Sequence, residues 1–275
     1  PAEIASLTKA LGLDKPIYTQ YYQYVKAIVL HFNFGYSYYS GESVIALIKD
    51  RFPATLSLTV GAVIVWMLAG IPVGIISAIK RGTSLDRFAM GGALFFVSMP
   101  TFWLGLMLLL LFAKTTGYFH IFPGFASYVP FSQSPTKWFT SLLLPWFVLA
   151  ATSAAIYSRL LRGSLLETMG EDYIRTARAK GLRERRVIMR HGVRSAITPI
   201  VTVLGLDIGQ LLGGAIITET VFDIPGIGRL NFDSISHSDF PVVQGTVILA
   251  AFFIVIANLI TDIAYAYLDP RVRYT

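Results

Sequence analysis

Five apolar segments, each long enough to cross a lipid bilayer, constrain the fold of this chain more than any other feature. A hydrocarbon core about 30 Å thick is crossed by roughly 20 apolar residues in an α-helix. Charged residues make up 14% of the sequence, whereas soluble domains carry about 25%. None of the segments alternates apolar and polar residues as a barrel strand does. We therefore expect an all-α membrane protein with five transmembrane helices, at approximately Thr55–Ile79, Phe88–Ala113, Leu142–Leu161, Ile197–Ile217 and Val242–Tyr267.

Lys and Arg are distributed unevenly between the two ends of these segments. Fifteen of the 23 lie in the loop after the first segment, in the stretch from Arg159 to Arg194, and in the C-terminal tail. Loops retained in the cytoplasm are enriched in Lys and Arg, so these regions and the C-terminus are predicted to be cytoplasmic. The net charge of +7 then reflects topology in a multi-pass protein of the cell (inner) membrane. The expected surroundings are a lipid bilayer and no nucleic acid.

Residues 1–54 are predicted to form an external segment, and residues 55–275 to form the transmembrane domain. The external segment is rich in Tyr and Phe, whose rings favour the level of the lipid headgroups, and its pattern suggests short amphipathic helices. Such a segment needs a preceding span to carry it across the membrane. Because the chain opens with Pro1 and without an apolar leader, we expect a preceding, sixth span in the parent protein.

The sequence lacks the common motifs that indicate an enzyme. It contains no nucleotide-binding G-x-x-x-x-G-K-[ST] loop, no H-E-x-x-H and no G-x-S-x-G. With no Cys, thiolate metal sites are excluded. We therefore expect no catalytic residues, no metal site and no cofactor bound by this chain, with an intramembrane enzyme left as an alternative.

A few polar residues inside the spans are candidates for a translocation pathway. Asp207 and Gln210 lie about one turn apart in the fourth segment, where a charge costs a few kcal/mol and usually faces protein or water. We interpret them as lining a pathway, with a buried hydrogen bond between helices as the alternative. Their acidic character suits a peptide's amino terminus or a metal cation. Pro100 is predicted to kink the second span beside Ser98 and Met99. We interpret the kink as shaping a cavity there, with plain irregular packing as the alternative.

Small residues recur along the fourth segment in a G-x-x-x-G-x-x-x-G series formed by Gly205, Gly209 and Gly213. Residues without side chains let two membrane helices approach closely. This spacing therefore predicts tight packing of the fourth span against another helix.

The densest run of Lys and Arg lies between the third and fourth segments, from Glu171 to Pro199. Acidic residues open it and Gly181 follows a stretch without helix breakers, which predicts a short helix from Glu171 to Lys180 that ends at the glycine. Ile174, Ala177 and Gly181 form a narrow face of small or apolar groups. A second basic helix is predicted to run from Arg183 into the next span. The short helix suits docking of a cytoplasmic partner, and an anchor for anionic lipids is the alternative.

The same run resembles the EAA loop of permease subunits of binding-protein-dependent ABC importers. Arg175, Thr176 and Ala177 stand where that loop has E-A-A, and Gly181 matches its glycine. The second half departs from the pattern, with His191 and Val193-Arg194 in place of its Ile and Leu-Pro. This variant is similar to the peptide and nickel branch of the family. So are three other stretches, TETVFDIPGIGRL (218–230), DFPVVQG (239–245) and YLDPRVRY (267–274).

The resemblance implies a type I ABC importer permease fold with alternating access, in which this chain forms half of a pathway for di- or oligopeptides. It also implies a cytoplasmic coupling loop, residues 163–196, in which a short coupling helix docks on a cytoplasmic ATPase. We call residues 171–181 of this loop the coupling segment. Its members are Glu171, Asp172, Tyr173, Ile174, Arg175, Thr176, Ala177, Arg178, Ala179, Lys180 and Gly181. The implied partners are two ATP-binding subunits that hold ATP and Mg, a paralogous permease subunit and an external substrate-binding protein.

The external turn at Phe222, Pro225, Gly226 and Gly228 is a candidate contact for the substrate-binding protein, with a re-entrant cap as the alternative. Two further functions stay open at this point. Nickel import is the alternative within the family, because the same motifs occur in both branches. An ATP-independent channel or secondary transporter is the alternative from another class.

Overall fold

The computed structural model describes residues 15–268, and almost all regular structure within them is helical. The predicted all-α architecture is therefore confirmed. In chain order the helices are α1 (Ile17–His31), α2 (Val44–Ile79), α3 (Ser84–Ser98), α4 (Thr101–Phe112), α5 (Pro135–Thr168), α6 (Asp172–Ala179), α7 (Glu184–Ala196), α8 (Thr198–Leu212), α9 (Ile216–Phe222), α10 (Ile227–Ser236) and α11 (Phe240–Leu268).

Within the described residues, three helices (α2, α5 and α11) are individually long and apolar enough to cross a membrane. Two more spans result if the bent pairs α3–α4 and α7–α8 each count as one. The predicted number of five spans is reached when each bent pair is counted as one span. The second span, predicted at Phe88–Ala113 with a kink at Pro100, is bent more sharply than expected, because α3 and α4 meet at an angle of 100°.

The break between α3 and α4 has a local cause at Pro100. Proline has no N–H to donate and pushes the residue before it out of the helical region. Met99 is accordingly extended, with φ −85° and ψ 128°, and Pro100 caps the start of α4. The predicted kink is therefore a sharp break.

The boundary predicted at residue 54 falls inside α2. This helix begins at Val44 and continues through Pro53. Val44 and Ile48 are buried together with Ile227 and Val242, so contacts with the C-terminal half extend the helix beyond its apolar core. One of the predicted short helices of the N-terminal segment is described, α1, and residues 1–14 lie outside the described part.

The glycine series of α8 packs directly against α11, which confirms the predicted close helix contact. A Cβ atom on Gly209 would lie 2.9 Å from both Ala257 Cβ and Ile254 Cα, and one on Gly213 would lie 2.6 Å from Ala250 Cβ. These distances are too short for any side chain larger than hydrogen. The glycines therefore set the distance between the two helices.

The fourth span ends earlier than the predicted Ile217. Helix α8 ends at Leu212, and Gly214 adopts a left-handed conformation with φ +120°. Residues other than glycine rarely take this conformation. Gly214 also lies against Gly228, so the chain turns here to begin α9 at Ile216.

Gly209→Leu is expected to destabilise the fold by about 1–3 kcal/mol, because the added side chain has no space between α8 and α11. Thermal unfolding of the purified protein in detergent measures this effect. Gly91→Leu in α3 is the matched control, since a Cβ atom there meets nothing within 4 Å. Equal unfolding midpoints for the two variants would contradict the assignment of Gly209 to the helix contact.

Candidate functional site

The coupling segment contains the predicted short helix, α6, at Asp172–Ala179. Glu171 precedes it in an extended conformation, and Gly181 follows with φ +73°. The Gly181 N–H donates to the Arg178 carbonyl at 2.9 Å, which closes the end of the helix. The predicted second helix is present as α7, and a π-helical turn occupies its middle at Val187–Gly192.

The narrow apolar face of α6 points into the protein. Ile174 is fully buried and Ala177 is 7% exposed, and both pack with Val187, beside Met169 and Leu182. This face braces the helix against α7 and is not available to a partner. Gly181, predicted to belong to the same face, is exposed instead. The exposed residues of the segment are Glu171, Asp172, Tyr173, Arg175, Thr176, Arg178, Ala179, Lys180 and Gly181.

A bidentate ion pair fixes α6 to the start of α7. The Arg178 guanidinium donates from Nη2 to Glu184 Oε1 at 2.7 Å and from Nε to Oε2 at 3.1 Å. Arg175 makes a longer ion pair of 3.4 Å with Asp172 on its own helix. Together with the buried face, the Arg178–Glu184 pair makes the coupling segment and α7 one unit.

A buried ion pair next to this unit was missed by sequence reasoning. Arg162 of α5 donates from Nε and Nη2 to the two carboxylate oxygens of Asp86, both at 2.8 Å. Ser77 of α2 and the Gly82 N–H also donate to this carboxylate. The four groups join α2, α3 and α5 at the end of the bundle from which α5 continues to the coupling segment.

The only sequence signal for this pair was Asp86 itself, an acidic residue in the otherwise basic loop after the first span. Arg162 stood out only as one of many basic residues. The sequence pattern gave no reason to expect an ion pair between Arg162 and Asp86, which lies 76 positions earlier.

Asp207 is brought together with a tyrosine of α5 that the sequence did not single out. The Tyr157 hydroxyl donates to Asp207 Oδ2 at 2.7 Å, so the interhelical hydrogen bond kept as an alternative exists. Asp207 remains half-buried, and Gln210, one turn further along α8, is exposed. The two residues are thus both reachable from outside the chain.

Ser98 and Met99 lie at the break between α3 and α4. The Ser98 hydroxyl is exposed and donates to the Leu94 carbonyl at 2.8 Å, one turn back in α3. Met99 is half-buried and packs against the main apolar core. A break in backbone hydrogen bonding at membrane depth is tolerated where it faces protein or water and not lipid.

The external turn predicted as a contact for another protein is largely buried in this conformation. Phe222 is 3% exposed, Gly226 and Gly228 are buried, and Pro225 is half-buried. These residues therefore pack the chain against itself, and Pro225 alone keeps accessible surface among them. Contact between this turn and an external substrate-binding protein stays a prediction.

Glu219 is the reason why this turn is compact. Its fully buried carboxylate accepts hydrogen bonds from Thr55 Oγ1 at 2.9 Å, from the Ala215 N–H at 3.2 Å and from the Arg229 N–H at 2.9 Å. Thr55 in turn accepts from the Ile227 N–H at 2.8 Å. A single carboxylate thus joins α2, α9 and α10.

Comparison with known proteins gives two family matches. The family described as "Binding-protein-dependent transport system inner membrane component" matches residues 70–274. The family described as "Binding-prot-dependent transport system membrane comp, N-term" matches residues 1–59. Together the two matches extend over most of the chain.

Relatives of known name are similar over the full chain. The chain is 42% identical over 296 residues to the dipeptide transport system permease protein DppB of Escherichia coli (strain K12), covering 100% of this chain and 86% of that protein. It is 39% identical over 290 residues to the di/tripeptide transport system permease protein DppB of Pseudomonas aeruginosa (strain UCBPP-PA14), again with coverage of 100% and 86%.

Solved structures support the fold. A chain of the MetNI methionine ABC transporter in an inward-facing conformation superimposes with a TM-score of 0.63 at 17% sequence identity, covering 82% of this chain and 97% of that one. An amino acid ABC transporter solved with histidines gives a TM-score of 0.54 at 18% identity, with coverage of 83% and 95%. At these identities the likeness shows a shared fold and nothing finer.

Proposed function

Because this chain belongs to the family of binding-protein-dependent transport system inner membrane components, we propose that it forms half of the pathway of an ATP-driven importer of di- or oligopeptides. The observation that carries the substrate class is its 42% identity, over the whole chain, to a permease named for dipeptide transport. Nickel import within the same family remains the second candidate, since it rests on motifs common to both branches.

The exposed side of the coupling segment is the proposed docking surface for a cytoplasmic ATPase subunit. Asp172, Thr176 and Ala179 lie opposite the buried Ile174–Ala177 face, so they are the first residues that a partner would meet. The chain itself is proposed to hold no ATPase site. ATP and Mg would bind the partner subunits, and their closure would push on α6.

A push on the coupling segment reaches the spans through contacts that are already in place. The segment is tied to α7 by Arg178–Glu184, and α7 leads into α8 after a bend of 46°. On its other side it follows α5, which Arg162 holds to Asp86 of α3. Both routes support movement of the helices as units, as alternating access requires.

Asp207, Gln210, Ser98 and Met99 are proposed to line the pathway. Support comes from the accessibility of Asp207 and Gln210 and from the helix break at Met99, both of which are unfavourable against lipid. The second half of the pathway would come from a paralogous permease subunit. An external substrate-binding protein would deliver the peptide, and the C-terminus would lie in the cytoplasm.

Deletion of the gene for this chain is expected to abolish uptake of radiolabelled dialanine by its host cells, and the intact gene is expected to restore it. Uptake of radioactive Ni²⁺, measured in the same cells, is expected to stay unchanged. Loss of Ni²⁺ uptake with normal dialanine uptake would instead assign the chain to the nickel branch. Normal uptake of both would contradict the proposal.

A further inference from the structure

Asp207 places a carboxyl group in the membrane-spanning part of the protein, and no cation of the described residues forms an ion pair with it. Among the described residues, the ion pairs involve other acidic groups, and Arg162 of the facing helix α5 is held by Asp86. A carboxylate in a medium of low dielectric constant strongly favours a positive partner. Asp207 is therefore suited to receive a cation from outside the chain.

Tyr157 fixes the orientation of this carboxyl group. The tyrosine is 1% exposed within α5, and its ring lies against Trp66 with 5.8 Å between ring centroids. Its hydroxyl donates to Oδ2 of Asp207. This hydrogen bond uses Oδ2 of Asp207, so the other carboxylate oxygen, Oδ1, can accept a hydrogen bond from a ligand.

Asp207 lies between a packed side and an exposed side of α8. Gly209 lies against α11, and Asp207 is directed to Tyr157 on α5. Thr202, Leu206 and Gln210 form an exposed row at i, i+4 and i+8 beside Asp207. The carboxamide of Gln210 adds a second oxygen acceptor one turn from the carboxylate.

We propose that Asp207, oriented by Tyr157 and assisted by Gln210, binds the protonated amino terminus of a peptide in the translocation pathway, an inference that rests on the proposed peptide-import function. An ammonium group has one positive charge and three N–H donors, two of which can be accepted by the Asp207 carboxylate and the Gln210 carboxamide oxygen. Every unmodified peptide carries this group whatever its side chains. A site for it serves peptides of different sequence.

The chemical groups at this site suit an ammonium group better than a metal cation. Divalent nickel is bound preferentially through imidazole nitrogen, whereas this site offers a carboxylate, a phenol and an amide. Among the described residues, no three of His, Cys, Asp and Glu are gathered as a metal site would need. The arrangement favours the ammonium group over the metal ion, both of which the sequence had left open.

The absence of Cys from the chain allows a direct test of the charge at this site. Leu206 is 38% exposed next to Asp207, so Leu206→Cys places a reactive thiol there in the assembled transporter. Labelling by a methanethiosulfonate that carries an ammonium group is expected to be about tenfold faster than labelling by the sulfonate-bearing reagent, after each rate is divided by that reagent's rate with free 2-mercaptoethanol. Asp207→Asn is expected to abolish this preference, and Asp207→Glu to retain it. Thr202→Cys, further from Asp207 on the same row, is the matched control with a weaker preference.

The ligand is tested by protection of the same thiol. Dialanine with a free amino terminus is expected to slow labelling of Leu206→Cys, while N-acetyl-dialanine and Ni²⁺ are not. Protection by Ni²⁺ alone, equal protection by both peptides, or equal rates for the two reagents would overturn the assignment. Dialanine uptake by the parent transporter is measured in parallel. Failure of the labelling test with intact uptake rejects this site alone, whereas absence of uptake rejects the import function.

Discussion

Replacement of Ala179 by tryptophan is expected to abolish ATP-driven peptide uptake while the chain stays folded and inserted. Ala179 is exposed and lies on the side of α6 opposite the buried Ile174 and Ala177. A large side chain on this exposed side is expected to hold an ATPase subunit away from the docking surface. A loss of about 2 kcal/mol at the centre of an interface weakens docking by about thirtyfold.

Two measurements on the purified complex test this effect, namely the amount of ATPase subunit that co-purifies and the uptake of peptide per ATP hydrolysed. Ser84→Trp is the control, because Ser84 is exposed at the start of α3 and is expected to tolerate the ring. Ala177→Trp serves as a contrast, since Ala177 is packed against Val187 and its replacement is expected to lower thermal stability as well. Normal uptake by Ala179→Trp would show that the exposed side of α6 is not the docking surface.

The second large effect is expected at Glu219. Glu219→Ala removes the carboxylate that accepts hydrogen bonds from Thr55 Oγ1 and from the N–H groups of Ala215 and Arg229. A buried donor without a partner costs about 1–3 kcal/mol, so loss of all three is expected to destabilise the protein by about 3 kcal/mol or more. The turn between α8 and α10 would loosen first.

Thermal unfolding in detergent, combined with proteolysis of the α9–α10 region, measures this loss. Glu219→Gln keeps one oxygen acceptor and is expected to lie between the parent and Glu219→Ala. Glu42→Ala is the control, because Glu42 is an exposed acidic residue of the N-terminal region. An unfolding midpoint for Glu219→Ala equal to that of Glu42→Ala would contradict the role given to the buried carboxylate.

The sequence predicted those parts of the fold that follow from local composition. Apolar length located the spans, and the glycine spacing of α8 located its contact with α11, because both depend on nearby residues. The ends of the helices were less predictable. Val44, at the start of α2, is buried with Val242, which lies far along the chain. The break at Pro100 was expected as a kink.

The candidate site shows the same division. The coupling segment was predicted as a short helix ended by Gly181, from its charges and glycine alone. The sequence did not show that its apolar face is used internally, since the partner residue Val187 is contributed by a separate helix. The polar links Asp86–Arg162, Thr55–Glu219 and Tyr157–Asp207 join residues 76, 164 and 50 positions apart. Such pairs leave no periodic pattern in a single sequence.

The most direct test of the central claim is dialanine uptake into proteoliposomes that contain this chain with its partner permease and ATPase subunits. With the loaded binding protein outside the vesicles and ATP on the ATPase side, we expect accumulation of dialanine against its gradient. Omission of ATP, of the binding protein or of the ATPase subunits is expected to abolish it. Accumulation or equilibration of dialanine in vesicles that contain this chain alone would contradict the account and identify a channel or secondary transporter.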